Sequence, residues 1–309
     1  MWGGRIGENG IMKIITEEKS IGLDFIPESE SPVLLFDSLS KMFSSIIQID
    51  TELIKKVDPL IDVQFLLIEV THSSIFTKYL RKIIIPEKND NVTVYPEVHG
   101  SIIDYSNQSQ GKIIDTLVEV GGQIIRNKEI NEIHEMILES SSVTGVNKTP
   151  NYPPPNKLVL ASAIDLLSNS TTMLGIADNY YFKDFYGKKE IQKIYADIDY
   201  DEIKREMAKK ITEIPIHVKL KILTAVFLGK SRWKFKLNDK NTVEAKILDE
   251  RWLANFHAQN VTIGPGDSIE IIGILKEIFD EFGTCIDRQY IINEVVRIHK
   301  PEEQNELEF

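Results

Sequence analysis

His217-Val218-Lys219-Leu220-Lys221-Ile222-Leu223-Thr224 and Arg232-Trp233-Lys234-Phe235-Lys236-Leu237 decide the fold of the C-terminal third. Bulky residues alternate with cations in both runs, and a period of two sends the two sets to opposite faces of a strand. Val218, Leu220, Ile222, Thr224 and Val226 oppose His217, Lys219, Lys221 and Leu223, while Trp233, Phe235 and Leu237 oppose Arg232, Lys234 and Lys236. The rings are predicted to point inward and the cations outward.

Downstream, Asn238–Asn241 turns the chain into a third strand over Thr242–Ile247, and Asp249 caps a short helix carrying Trp252, Leu253 and Phe256. Gly264-Pro265-Gly266-Asp267 is a tight turn feeding a strand over Ser268–Phe279. Asp280–Gly283 then returns the chain into Arg288–Ile298. Five strands with one inserted helix predict a small antiparallel β-barrel or rolled sheet over residues 213–300, followed by an acidic tail, 301–309.

Upstream, Met12–Thr16 and Ile21–Ile26 read as two strands joined by a polar turn, Glu17–Ser20. Met12 is taken as the start of the folded part, with the Gly-rich residues before it left out. Ser31-Pro32 opens a helix that runs to about Val57. Leu35, Leu39, Met42, Ile46, Ile49 and Leu53 form its seam, widened by Phe36, Phe43, Ile47 and Ile54 into a face suited to packing on a sheet. Residues 61–70 read as a central strand and Ile75–Ile85 as its neighbour. Residues 1–105 thus predict a ββ-α-ββ unit.

Residues 106–212 predict a mainly helical middle region. Asn107–Gln110 reads as loop, with helices after it over residues of which Ile113, Leu117, Val120 and Ile124 share one face, and over Lys128–Glu139. A Pro-rich linker near 145–156 is followed by a helix at Leu158–Leu167 and by an aromatic cluster, Tyr180–Tyr186. Ile191–Ile198 predicts a strand, and Asp199 with Glu202 starts a helix ending near Ile211. The fold class is α+β.

The formal charge of −11 disfavours non-specific attraction to nucleic acid or anionic lipid. Cys285 is the single cysteine, so no intramolecular disulfide forms, and a reducing, cytoplasmic setting is expected. No apolar run approaches the roughly 18 residues of a spanning helix, and the first residues lack a hydrophobic signal core.

Most catalytic patterns fail on their own chemistry. Gly229-Lys230-Ser231 lacks the glycine five residues earlier, where Thr224 stands, and a strand follows it rather than a helix. Asp197, Asp199 and Asp201 have calcium-loop spacing, but Glu202 takes the glycine position and Ala208 the final glutamate position. Glu244-Ala245-Lys246 has the Glu-x-Lys form of magnesium nucleases, which need a second carboxylate; Asp239 and Asp249 are the neighbours in sequence. Gly121-Gly122-Gln123 lies in a helical pattern and reads as close packing. His134 reads as a solvated helix residue. No cofactor or metal is implied.

One feature stands out from this background. Lys219, Lys221, Lys230, Arg232, Lys234, Lys236, Lys240 and Lys246 face only Asp239 and Glu244 within their span. Such a face could track a phosphate backbone. The inward parity of Trp233 and Phe235 removes the stacking platform, so a solvated face, or one that docks on an acidic partner, is the preferred reading.

The run Trp233-x-Phe235, Ala245-x-Ile247-x-Asp249-Glu250-x-Trp252-Leu253, Gly264-x-Gly266-Asp267-x-Ile269 and Tyr290-x-Ile292-x-x-Val295 resembles one found in uncharacterised bacterial proteins that occur near mobile elements and antiphage genes. The resemblance covers about a quarter of the chain and carries no catalytic residues. It implies a setting of phage conflict. The expectation is a non-enzymatic scaffold or sensor that binds a protein partner or a second copy of itself, away from membranes. The alternative is a magnesium nuclease or nucleic-acid-binding protein that uses Lys219, Lys221, Lys230, Arg232, Lys234 and Lys236.

Overall fold

The computed structural model describes residues 6–7, 10–25, 32–71, 75–86, 99–148, 152–175, 178–184, 187–225, 232–238, 241–264 and 266–300. It is a mixed α+β chain of two compact units, Met1–Ile203 and Lys204–Phe309.

In the first unit β1 (Ile6–Gly7) folds back on β2 (Gly10–Asp24), so residues ahead of Met12 belong to the fold. β2 runs unbroken through Glu17–Ser20, where the sequence predicts a turn. Polarity misleads there because Lys19 is only 3% exposed and Glu17 is held by an ion pair. α1 (Pro32–Val57) has the predicted bounds and buries Leu35, Met42, Ile46, Ile49 and Leu53.

β3 (Asp62–Thr71) and β4 (Ile75–Pro86) follow as an antiparallel pair. α2 (His99–Glu119) takes in Asn107–Gln110, expected as loop, and the expected domain boundary at 105/106 lies inside this helix. Beyond it come β5 (Ile124–Ile125), α3 (Asn127–Thr144), a single 3₁₀ turn, Val146–Lys148, and α4 (Lys157–Thr172). The Asn156 side chain caps α4, accepting from the Leu158 N–H at 2.8 Å.

β6 (Asn179–Asp184) and β7 (Gly187–Ile191) then extend the N-terminal sheet, whose order is β3-β4-β2-β6-β7. The middle region also supplies two strands that pair back on the first sheet. One prediction is corrected by that order. β3 is an edge strand, not a central one, and Leu66, Leu67 and Ile68 are 47%, 65% and 52% exposed. A continuous apolar run has the same appearance in a doubly covered strand and at an edge; the choice of neighbour decides. The strand expected over Ile191–Ile198 stops at Ile191, and only β8 (Tyr195–Ala196) remains, pairing parallel with β5.

α1 packs chiefly along α4, and less extensively on α2 and β3, rather than lying on the sheet alone. Small residues allow the close approach. Ser38 Oγ donates to the Ser170 carbonyl at 2.6 Å and Ser45 Oγ to the Ala163 carbonyl at 2.7 Å, satisfying hydroxyls that would otherwise cost about 1–3 kcal/mol each to bury.

α5 (Tyr200–Met207) carries the chain into the second unit; Asp199 caps it by accepting from the Glu202 N–H. It ends at Met207 instead of Ile211 because β9 (Lys210–Thr224) begins almost at once. β10 (Trp233–Lys236), β11 (Thr242–Ile247), α6 (Glu250–His257), β12 (Ser268–Phe279) and β13 (Cys285–His299) complete the unit.

The five strands close into a ring, β10-β11-β13-β12-β9, in which β9 also pairs with β10. Four pairings are antiparallel, but β11 and β13 run parallel, with Ala245 opposite Tyr290 and Ile247 opposite Ile292. The expectation of an all-antiparallel module is corrected at this pair. Alternation reports a strand's faces but not the direction of a neighbour that arrives after a helix and another strand.

The inward parity is as predicted. Leu220, Ile222, Trp233, Phe235, Ala245, Ile247, Ile269, Ile271 and Ile292 form the core, joined by Trp252 and Phe256 from α6. Trp233 lies 5.7 Å from Trp252 and 5.1 Å from Phe256 between ring centroids, both edge-to-face.

Candidate functional site: a basic hollow on the C-terminal ring

Because Leu220, Ile222, Trp233 and Phe235 turn inward, Lys219 and Lys221 on β9 and Lys234 on β10 are exposed, and Lys236 is half-buried. Register then decides which cations meet. Lys221 stands directly opposite Lys236 on one side and Ser268 on the other, and Lys219 stands opposite Glu270. Lys219, Lys221 and Lys236, with Leu237, Asn238 and Ser268, wall an open hollow of about 260 Å³.

The remaining predicted residues are elsewhere. Lys234 pairs with Glu244 at 3.6 Å across β10 and β11. Arg232 is exposed and acts on Asp287 through its field. Burial pushes that carboxyl up, but Gln289, Lys204 and Arg232 together hold it below its ordinary value. Lys230 lies outside the described residues.

The acids nearest the hollow are already engaged. Glu270 gives one oxygen to His217 Nε2 at 2.8 Å and the other to His299 Nε2 at 3.0 Å. Those hydrogen bonds, His299 first and His217 next, hold Glu270 below the ordinary carboxylate value. Asp267 accepts from the Gly264 N–H at 2.7 Å and from Lys300 at 2.8 Å. Among the described residues none of Lys219, Lys221 and Lys236 is in an ion pair. The His217–Glu270–His299 group escaped the sequence reading, since only the register of three strands assembles it.

Glu244, exposed on β11, stands opposite Lys234 and is its ion-pair partner. Asp249 gives one oxygen to the Trp252 N–H at 2.9 Å and the other to the Val295 N–H at 3.1 Å, fastening α6 to β13. Asp239 lies outside the described residues. Among those described, no three His, Cys, Asp or Glu side chains are grouped to hold a metal ion. No described helix is long and apolar enough to cross a membrane.

Two smaller expectations are corrected. His134 is buried, not solvated, and donates from Nε2 to the Pro155 carbonyl at 3.0 Å; burial, then Lys157, lowers its pKa. Gly121-Gly122-Gln123 lies in the turn after α2, not within a helix, with Gly122 at φ 79° and its N–H donating to the Lys193 carbonyl at 2.9 Å.

The first unit holds a second polar cluster, this one buried between β2, β4, α1 and α2. The Arg81 side chain is fully buried and donates to Asp50 Oδ1 at 2.9 Å, Ser106 Oγ at 2.6 Å, Glu17 Oε2 at 3.0 Å and Asn107 Oδ1 at 2.6 Å. Asn107 also donates to Glu17 Oε1 at 2.7 Å, and Lys19 donates to Gln110. Burial raises the Glu17 pKa, but Arg81, Asn107 and Lys19 together pull it below its ordinary value. Glu17 and Asp50 balance Lys19 and Arg81, so the cluster is neutral and structural in character.

No protein-family model, curated protein or solved structure matches this chain.

Proposed function

We propose that the protein is a non-enzymatic binding protein that docks the basic outer face of its C-terminal ring on an anionic macromolecule. Its setting is the bacterial cytoplasm, in a mobile-element or antiphage context, as the resemblance in the C-terminal run implies. One observation carries the reading: Lys219, Lys221 and Lys236 share one open hollow while the acids around them are bound to other partners. Like charges directly opposite one another on a ladder, as Lys221 and Lys236 are, destabilise a sheet. A fold that keeps such a pair without a countercharge has a use for one supplied from outside.

The test is retention on immobilised heparin, a generic polyanion. The full chain is expected to bind and to elute with salt. Lys219→Glu/Lys221→Glu is expected to elute at markedly lower salt than Lys128→Glu, whose side chain in the first unit is 79% exposed. Equal elution of the two variants would remove this face from the account.

A further inference from the structure

We infer that the hollow walled by Lys219, Lys221 and Lys236 is a phosphate seat, and that the phosphate it takes is the diester of a nucleic-acid strand. This rests on the preceding reading and specifies the chemistry recognised at the same site.

The lining decides between the two common biological anions. Three lysines line it together with a hydroxyl residue, Ser268, and a side-chain amide, Asn238; no carboxylate of the described residues lines the hollow. A carboxylate presents two oxygens in one plane and is met well by a fork such as Arg. Lysines act instead as separate point charges, suited to a tetrahedral anion approached from several sides. Register gathers the three lysines, two on β9 and one on β10, on one face of two neighbouring strands, so their charges add on the same side of the sheet. The hollow, about 260 Å³, is roomier than one small anion needs, and Leu237 in its wall suits the sugar that carries a phosphate.

The neighbouring acids are already hydrogen-bonded to other groups. Glu270, the cross-strand partner of Lys219, is clamped by His217 and His299. Asp267, next to Ser268, is held by Lys300 and the Gly264 N–H. Neither acid needs to be displaced before a ligand enters.

The same parity that exposes the lysines also limits what they read. Trp233 and Phe235 are 2% and 0% exposed, so neither is available for bases to stack on. Interactions confined to phosphates position a strand without reading its bases. Binding is therefore indifferent to sequence and steep in salt.

The experiment titrates the full chain into a labelled oligothymidylate, a labelled mixed-sequence strand and labelled polyglutamate, by fluorescence anisotropy over a salt series. Both oligonucleotides are expected to bind within about 3-fold of each other. Lys221→Glu and Lys236→Glu are each expected to weaken them at least 10-fold, against less than 2-fold for Lys128→Glu. Each lysine–phosphate pair removed should lower the slope of log K against log salt by about 0.7 for a single strand. Millimolar inorganic phosphate is expected to compete with the oligonucleotide on the wild-type chain. Tryptophan emission from the ring checks that each variant is folded.

Polyglutamate binding without oligonucleotide binding would overturn the phosphate assignment and leave the anionic-partner reading standing. No binding to either would overturn both. Oligonucleotide binding untouched by Lys221→Glu and Lys236→Glu in folded protein would overturn the seat. Inorganic phosphate binding with no affinity for either strand would overturn the nucleic-acid source.

Discussion

Replacing Arg81 with methionine removes the cation around which the first unit arranges its buried acids. The guanidinium is the only described cation in an ion pair with Asp50, whose side chain is fully buried and whose Oδ2 has no partner among the described residues. After the change Asp50 keeps only Ser106 Oγ, at 3.5 Å. Breaking a buried pair from one side typically costs about 3–5 kcal/mol, because a desolvated charge is left behind. Glu17 is 22% exposed and recovers part of its solvation, so Asp50 carries most of the penalty.

A unit of this size loses about 2–4 °C in Tm per kcal/mol, which gives a fall of about 6–20 °C. Circular dichroism at the helix band reports the first unit, where α1–α4 lie. Tryptophan fluorescence in a Trp2→Phe background reports the ring, through Trp233 and Trp252. Arg81→Met is expected to lower the first transition and leave the second in place, and Arg81→Met/Asp50→Asn to recover part of the loss.

Acid should narrow the gap. Glu17 is held below its ordinary 4.5 in the folded chain, so its stabilisation is complete above that pH and lost as pH falls through the lowered folded value. Without Arg81 that contribution is gone. A loss below about 1 kcal/mol at neutral pH, or an unchanged gap under acid, would refute the view that this cluster is desolvated and held by Arg81.

Glycines in the two sheets should respond unequally. A Cβ at Gly273 would lie 2.2 Å from the Ile291 carbonyl oxygen, which is backbone and cannot swing away, whereas at Gly22 it meets the far end of the Tyr181 ring. Gly273→Ala is expected to cost about 1–3 kcal/mol or more in urea melts followed by tryptophan, and Gly22→Ala less; the reverse order would contradict the packing. Trp252→Ala, which empties the aromatic plug of the ring, is expected to cost about 3–5 kcal/mol, and a change under 1 kcal/mol would mean that α6 does not seal the core. Glu52 is raised above its ordinary 4.5 by burial, against the Asn156 N–H and Lys56, so wild-type stability should fall as pH climbs through that raised value. Glu52→Gln retains an acceptor for the Asn156 N–H, 2.7 Å from Glu52 Oε1, and should flatten that dependence in urea midpoints compared between pH 5 and 7.

Short-range pattern alone determined a good deal of this protein. The α1 seam from Leu35 to Leu53, the caps at Asp199 and Asp249, the turns at Asp267 and Gly283, and the inward rings of β9 and β10 depend on φ/ψ preference and on periods of 3.6 or 2. Each is set by residues a few positions apart. Tertiary structure decided everything that needed a distant partner. Glu17, Lys19 and Asn107–Gln110 are polar enough to resemble surface turns, and only Arg81 and the facing helix make their burial tolerable. β3 became an edge, β6 and β7 joined the first sheet, and β13 came to lie parallel to β11, because strand neighbours are chosen by the closing of the whole sheet. The hollow follows the same rule. Sequence supplied its lysines and sent them outward, but the register of β9 against β10 and β12 selected Lys219, Lys221 and Lys236 from that run and left Lys234 to Glu244.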